Sequence, residues 1–171
     1  MTEHVAVFPG TFDPVTHGHL DLIRRGSQIF DALVVAVSAG GGRTHFPLAE
    51  RVSMLEGLVA PYENVSVQAF DGLLVDFARR VGGTVLLRGV RGVRDYEYEL
   101  EMAWANRGLA PEVETVFLAP SPQVALVSSS LVREVASLGG DVSAWVPQAV
   151  VAALAERPPS VPGADGARKE E

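Results

Sequence analysis

The sequence predicts a doubly wound α/β fold: a five-stranded parallel sheet with helices on both faces. Five short apolar runs alternate with amphipathic helical patterns, which is the order of successive βαβ units. The runs are near-continuously apolar, as strands covered on both faces are. The chain has 171 residues, 47% of them apolar, enough for one domain with a substantial core.

The elements follow in order. Val5–Phe8 reads as the first strand, and His17–Phe30 as a helix with Leu20, Ile23, Ser27 and Phe30 on one side. Leu33–Ser38 is the second strand, and Pro47–Val59 aligns Leu48, Val52, Leu55 and Val59 along a helix. Val65–Ala69, Val85–Arg88 and Thr115–Leu118 supply the remaining strands. Leu73–Val81 and Glu97–Arg107 supply the helices between them, and Ser129–Leu138 and Pro147–Glu156 two more at the end. Right-handed crossovers and a ligand site at the carboxyl ends of the strands, near the switch in strand order, follow from this alternation. Thr11 and His19, Gly40–His45, Asp71–Leu74, Arg88–Arg91 and Pro120–Ser130 each follow a strand, so five loops converge on one sheet edge.

Composition excludes several chemistries. There is no cysteine, hence no disulfide, no thiolate zinc site and no thiol nucleophile. A single lysine, Lys169, rules out a P-loop, so a cationic hold on phosphate falls to arginine or histidine. The net charge of −7 argues against nucleic acid as a partner. No apolar run approaches the ~20 residues that span a bilayer, and Met1–His4 lacks a basic secretory start, so no membrane and a cytoplasmic location are expected. Residues 1–156 read as one domain, and the Pro/Gly-rich residues 157–171 as a disordered tail.

Three segments carry chemistry. Pro9-Gly10-Thr11-Phe12-Asp13-Pro14-Val15-Thr16-His17-Gly18-His19 sits where the first strand hands over to a helix. Unpaired N–H groups and the positive dipole end make such a start a phosphate site. Thr16 suits the N-cap, with His19 three positions on. A plain cap with a surface histidine would explain these two alone, but not the crowding of Gly10, Thr11, Pro14 and Gly18 around them. His17 and His19 do not share a helix face, and no metal-ligating cluster is expected. Arg88-Gly89-Val90-Arg91-Gly92-Val93-Arg94 follows a strand and is able to wrap an anion, although the acidic Glu97, Glu99 and Glu101 are close enough to absorb its charge. Val127-Ser128-Ser129-Ser130 opens a helix, and capping accounts for only one of its hydroxyls. Gly40-Gly41-Gly42 is no dinucleotide fingerprint, and no G-x-S-x-G elbow supports a hydrolase.

The sequence P-G-T-F-D-P-V-T-x-G-H, with F-D-G-L-L-V-D-F-A, L-R-G-V-R-x-V-x-D-Y-E-Y-E, N-R-x-L-A-P-E-V-E-T-V-F-L and S-S-S-L-V-R-E, resembles the bacterial phosphopantetheine adenylyltransferases from about Val5 to about Leu154. T-x-G-H alone marks only the wider nucleotidyltransferase superfamily. The resemblance implies a Rossmann-like fold and the reaction of ATP with 4′-phosphopantetheine to give dephospho-coenzyme A and pyrophosphate, the penultimate step of coenzyme A synthesis. It implies Mg²⁺ held mainly through ATP phosphates, feedback by coenzyme A, and a homo-oligomer, a hexamer. It also implies roles: His19 at the α-phosphate, Thr11 orienting the attacking phosphate, and Leu74, Arg88 and Asn106 on phosphopantetheine. Thr11, Phe12, His19, Gly89, Val90, Arg91, Glu99, Val124, Ala125, Leu126, Val127, Ser128, Ser129 and Ser130 would hold ATP.

The chain departs from the family pattern in two places. Relatives carry N-P-x-K-K or S-P-x-K-K after the second strand, whose lysine meets the nucleophilic phosphate. Here the loop is Ala39-Gly40-Gly41-Gly42-Arg43-Thr44-His45. Arg43 is the natural stand-in as a catalytic and phosphopantetheine-binding cation, and His45 the second candidate, so altered phosphopantetheine affinity is expected. Gln123-Val124-Ala125-Leu126 is less polar and less aromatic than in relatives, which bears on side-chain contacts to ATP but leaves backbone contacts intact. A sister transferase acting on nicotinamide mononucleotide or a polyol phosphate, and a non-catalytic nucleotide sensor, are the competing readings.

Overall fold

A computed structural model of the protein describes residues 4–40, 42 and 44–157. The chain runs β1 (Val5–Gly10), α1 (His17–Ile29), β2 (Ala32–Ser38), α2 (Leu48–Val59), β3 (Val65–Phe70), α3 (Leu74–Arg80), β4 (Val85–Gly89), α4 (Val93–Leu109), β5 (Glu114–Leu118), α5 (Ser129–Ser137) and α6 (Gln148–Ala155). The sheet order is β3-β2-β1-β4-β5, and every neighbouring pair is parallel. The predicted doubly wound α/β sheet is the observed one.

Alternation along the central strands sorts the core into two layers. Ala6, Phe8, Leu33, Val35, Val37 and Leu87 face α1, α2, α5 and α6, against Leu22, Ile23, Leu55, Val132 and Val150. Val7, Val34, Ala36 and Leu86 face the other way, against Val75, Phe77 and Ala78 of α3 and against Ala110 and Val113. Coverage on both faces holds for β1, β2 and β4 only. At the edges Ser66 and Gln68 of β3, and Glu114 and Val116 of β5, are exposed. The polar residues interleaved in those two runs mark strands with one wet face.

The chain winds outward from β1 through β2 to β3, then crosses to β4 on the far side of β1. The switch in strand order therefore lies between β1 and β4, which pair only at Ala6 with Val85 and Val7 with Leu86. Beyond those residues the strands part and their carboxyl ends open a crevice.

Two boundaries correct the sequence reading: Arg157, read as the first tail residue, is bonded to His45 and Glu50 of the domain, while residues 158–171 of the expected tail lie outside the described residues. Helix α4 starts at Val93, not Glu97, so the connection after β4 shrinks to residues 90–92 and Arg94 joins the first helical turn. Extended Gly92 stands at its N-cap, and Asp95 in the first turn grips Arg91 with 2.7 Å between Oδ2 and Nε. A favourable charge at the helix start thus outweighs the run of glycine and arginine that reads as loop.

Candidate active site

A cavity of about 650 Å³ opens over the carboxyl ends of the strands. Its floor is the β1–α1 turn. A Cβ on Gly10 would lie 2.9 Å from the Phe12 ring, so only glycine lets that ring fold back under the turn. Phe12 itself adopts φ 49°, a left-handed conformation that is uncommon outside glycine. Its buried ring packs edge-on against Phe8 and His19, with centroids 5.5 and 5.0 Å apart. That packing holds the strained turn.

Thr16 and His19 close a reciprocal cap on α1. The Thr16 hydroxyl accepts the His19 backbone N–H, and His19 Nδ1 accepts the Thr16 backbone N–H at 3.0 Å. Histidine thus stands where a capping box carries Glu or Gln. With Nδ1 accepting, the neutral ring carries its proton on Nε2, the nitrogen available to a ligand. Burial, with the Arg91 charge adding to it, lowers the His19 pKa from 6.5 to about 4. A Cβ on Gly18 would sit 3.2 Å from the Val124 carbonyl oxygen, so this cavity-lining glycine also admits the loop after β5.

Three site arginines are each matched with a carboxylate. Arg88 grips Glu99 through Nε and Nη2, both at 2.6 Å, and donates Nη1 to the Pro9 carbonyl at 3.0 Å. Arg91 pairs with Asp95. Arg133 of α5 donates to the Asp13 carbonyl and lies 3.6 Å from the Asp13 carboxylate. The serines divide their labour. Ser128 caps α5 by accepting from the Leu131 N–H, Ser129 donates to the Pro14 carbonyl, and Ser130 accepts from Arg133.

Fully buried Arg51 binds the site's segments together from below. It donates Nε to the Phe46 carbonyl at 3.0 Å, and Nη1 to the carbonyls of Thr11 at 2.7 Å and Ser38 at 3.0 Å. The Asp13 carboxylate accepts the backbone N–H groups of His45 at 2.7 Å and Phe46 at 2.8 Å. At the loop after β5, Asp21 accepts both the N–H and the hydroxyl of Ser121 at 2.9 Å. Burial pushes the Asp21 carboxyl up, but the Ser121 bonds together with Arg24 and Arg25 outweigh it and hold the group below its ordinary range.

Of the predicted residues, Thr11, Phe12, His19, Leu74, Arg88, Gly89, Arg91, Val124, Val127, Ser128, Ser129 and Ser130 line the cavity. Val90, Ala125, Leu126, Glu99 and Asn106 are not among the lining residues. Leu126 is 86% exposed, whereas Glu99 and Asn106 are buried on α4, Glu99 against Arg88. Arg43 lies outside the described residues. Thr44 lines the cavity and exposed His45 does not; burial, with the Arg157 and Arg133 charges and against those of Asp13 and Glu50, lowers the His45 pKa. That makes His45 a poor substitute for a lysine.

Sequence reasoning missed Arg51, Arg133, Asp13 and Asp21. Arg51 interrupts the apolar stripe of Leu48, Val52, Leu55 and Val59, and a charge on a buried face was the available signal. Arg133 stands three residues after Ser130, on the same side of the helix as the hydroxyl it meets.

Comparison with known proteins shows the family of the chain. The cytidylyltransferase-like family matches residues 7–135. A phosphopantetheine adenylyltransferase of Alkalilimnicola ehrlichii is 53% identical over 165 residues, covering 95% of this chain and 94% of its own. One from Xylella fastidiosa is 52% identical over 155 residues, covering 90% and 96%, and one from Alkaliphilus metalliredigens is 48% identical over 154 residues, covering 90% and 98%. A solved structure from Vibrio parahaemolyticus, provisionally described as a nicotinate-nucleotide adenylyltransferase, shares the fold with a TM-score of 0.69 at 15% identity, covering 90% of this chain and 99% of its own. The chain belongs to the phosphopantetheine adenylyltransferases, within the cytidylyltransferase-like nucleotidyltransferases.

Proposed function

We propose that this enzyme transfers the adenylyl group of ATP to 4′-phosphopantetheine, releasing pyrophosphate and dephospho-coenzyme A. The observation that carries the reading is the juxtaposition, in one cavity, of Thr11, the capped His19, Arg88 and the Ser128–Ser130 hydroxyls. An oxygen of the pantetheine phosphate attacks the α-phosphorus of ATP, a new P–O bond forms, and the bond to pyrophosphate breaks. The nucleophile is already ionised, so no general base is required, and rate enhancement rests on alignment and on donors at the α-phosphate.

His19 supplies such a donor through Nε2–H, held neutral and oriented by the Thr16 cap. Thr11 orients the attacking phosphate, and Arg88 binds it with a guanidinium aimed by Glu99. Leu74 contacts the pantetheine arm, and Asn106 acts from behind it. Arg43 would add a further cation on the loop after β2. ATP is held by Phe12, Gly89–Arg91 and the segment Val124–Ser130, with Arg133 beside the serines at the phosphate end. Leu126, for all its exposure, and Ala125 contribute through backbone.

Mg²⁺ fits as a passenger on ATP. Among the described residues no cluster of three His, Asp or Glu is placed to hold a metal, and the carboxylates of Glu99, Asp95 and Asp13 are engaged by arginines or amides. Coenzyme A, which contains the product, would compete for the same cavity. We further propose a homohexamer in the cytoplasm. Among the described residues no helix is long and apolar enough to cross a membrane. Val93 and Trp104, on one side of α4, stand out at 76% and 65% exposure, and Tyr98, about a third of a turn round, at 61%, apolar groups suited to a second copy of the chain.

The test is pyrophosphate release from ATP with phosphopantetheine, nicotinamide mononucleotide or a polyol phosphate as acceptor. Release with phosphopantetheine alone is expected. Release with another acceptor only, or ATP binding without release, would replace the proposal with a sister transferase or a sensor.

A further inference from the structure

We propose that Arg157, just past the end of α6, is a positioning residue that clamps the loop between β2 and α2 and thereby sets the affinity for the acceptor phosphate. The proposal rests on the acceptor reading above. Arg157 donates Nη1 to the His45 carbonyl and Nη2 to Glu50 Oε2, both at 2.5 Å. Its guanidinium lies over the buried Phe46 ring, 4.5 Å from the centroid. An exposed Arg–Glu pair contributes little by itself. The charge-assisted bond to a carbonyl and the stacking on a ring fixed in the core give this arginine a defined orientation.

The dipeptide it grips is held from the opposite side as well. The N–H groups of His45 and Phe46 donate to Asp13, and the Phe46 carbonyl accepts from Arg51. Both partners of this dipeptide belong to the site's frame, because Asp13 lies in the turn that carries Thr11, and Arg51 also holds the Thr11 carbonyl. Thr44, next upstream, lines the cavity. The loop's other end is tied where the Ala39 N–H donates to the Phe70 carbonyl at 2.8 Å. His45 and Phe46, held by Asp13 and Arg51 and by Arg157, fix where Thr44 stands on the cavity wall, so loosening that hold leaves more ordering to be done when the acceptor binds. Arg157 does not line the cavity, and it acts only through His45 and Phe46. The segment Val124–Ser130, on the nucleotide side, is tied by other residues, so the effect falls on one substrate.

The experiment compares the full-length protein with Arg157→Ala and Arg157→Lys. It measures kcat and the KM of each substrate, and amide hydrogen exchange over residues 39–46 without ligand. Arg157→Ala is expected to raise the phosphopantetheine KM roughly 3- to 10-fold, the scale of one hydrogen bond, with kcat and the ATP KM within about twofold. Exchange at 44–46 should quicken while α1 is unchanged, and Arg157→Lys should recover part of the loss. An unchanged phosphopantetheine KM overturns the proposal, and so does a parallel rise of both KM values with a fall in kcat, which is the mark of general destabilisation. If the unmutated protein releases no pyrophosphate with phosphopantetheine, the reaction falls and the affinity claim with it. The exchange data then still decide whether the clamp exists, and unchanged exchange at 44–46 overturns it.

Discussion

At the scale of single residues, His19 shows how a helix cap selects a tautomer. The Thr16 N–H occupies Nδ1, so protonating the ring would set two donors against each other in a half-buried site. This adds to burial and the Arg91 charge, which bring the pKa to about 4. Activity is therefore expected to stay flat from pH 8 down to about 5 as far as His19 is concerned, and to fall only near 4, a profile that kcat measurements across pH would check. Stability carries the same signature. The unfolded chain takes up this proton near 6.5 and the folded chain not until about 4, so stability declines as pH falls through that window. The decline attributable to His19 is at most about 3 kcal/mol. Thermal melts of wild type and His19→Gln should converge toward pH 4. Removing the donor altogether, in His19→Ala, should lower kcat about 100-fold or more, with the KM values far less affected. Unchanged turnover in that variant would remove His19 from the reaction.

Elements extend these contacts into a frame. Each of the two loop systems has its own anchor, Asp21 on α1 for the loop after β5 and Arg51 on α2 for the loop after β2. Replacing Asp21 by Asn keeps the shape and removes the charge that draws both Ser121 donors. The ATP KM should rise roughly 10-fold while that of phosphopantetheine holds, because a hydrogen bond to a charged group contributes about 1.5 kcal/mol or more. Arg51→Met should behave differently. It leaves the carbonyls of Thr11, Ser38 and Phe46 without their donor inside the protein, and chemical denaturation should show a loss of at least about 3 kcal/mol.

These anchors also mark what the sequence could and could not disclose. Strands β1, β2 and β4 were legible because a strand buried on both faces must be apolar throughout, and α1 because a cap and a 3.6-residue stripe are local signals. The Thr11–His19 turn and the serines before α5 were legible for the same reason. Arg51, Asp13 and Asp21 were not, because their partners lie 40, 33 and 100 residues away and only the fold brings them together. The start of α4 was missed because its cap is a bare glycine and its apolar residues face outward instead of marking a stripe against the core.

That outward face raises a question for the molecule as a whole. A helix of 17 residues that leaves Val93, Tyr98 and Trp104 exposed has not covered its apolar side chains among the described residues. Yet two of its buried residues are polar: Glu99, which aims Arg88, and Asn106. The same helix thus presents one surface to the site and another to the outside. If copies of the chain pack on the outer surface, assembly and the Arg88–Glu99 geometry are mechanically linked through α4. Trp104→Glu places a charge in the middle of such an interface and touches nothing in the cavity. Burying that charge unpaired would cost several kcal/mol, enough to dissociate the assembly at micromolar concentration. Analytical ultracentrifugation should show a hexamer for the wild type and smaller species for Trp104→Glu. The dissociated form should have a raised phosphopantetheine KM, because Arg88 loses the support of an anchored α4. A wild type that sediments as a monomer, or a dissociated variant with unaltered KM, would separate assembly from the site.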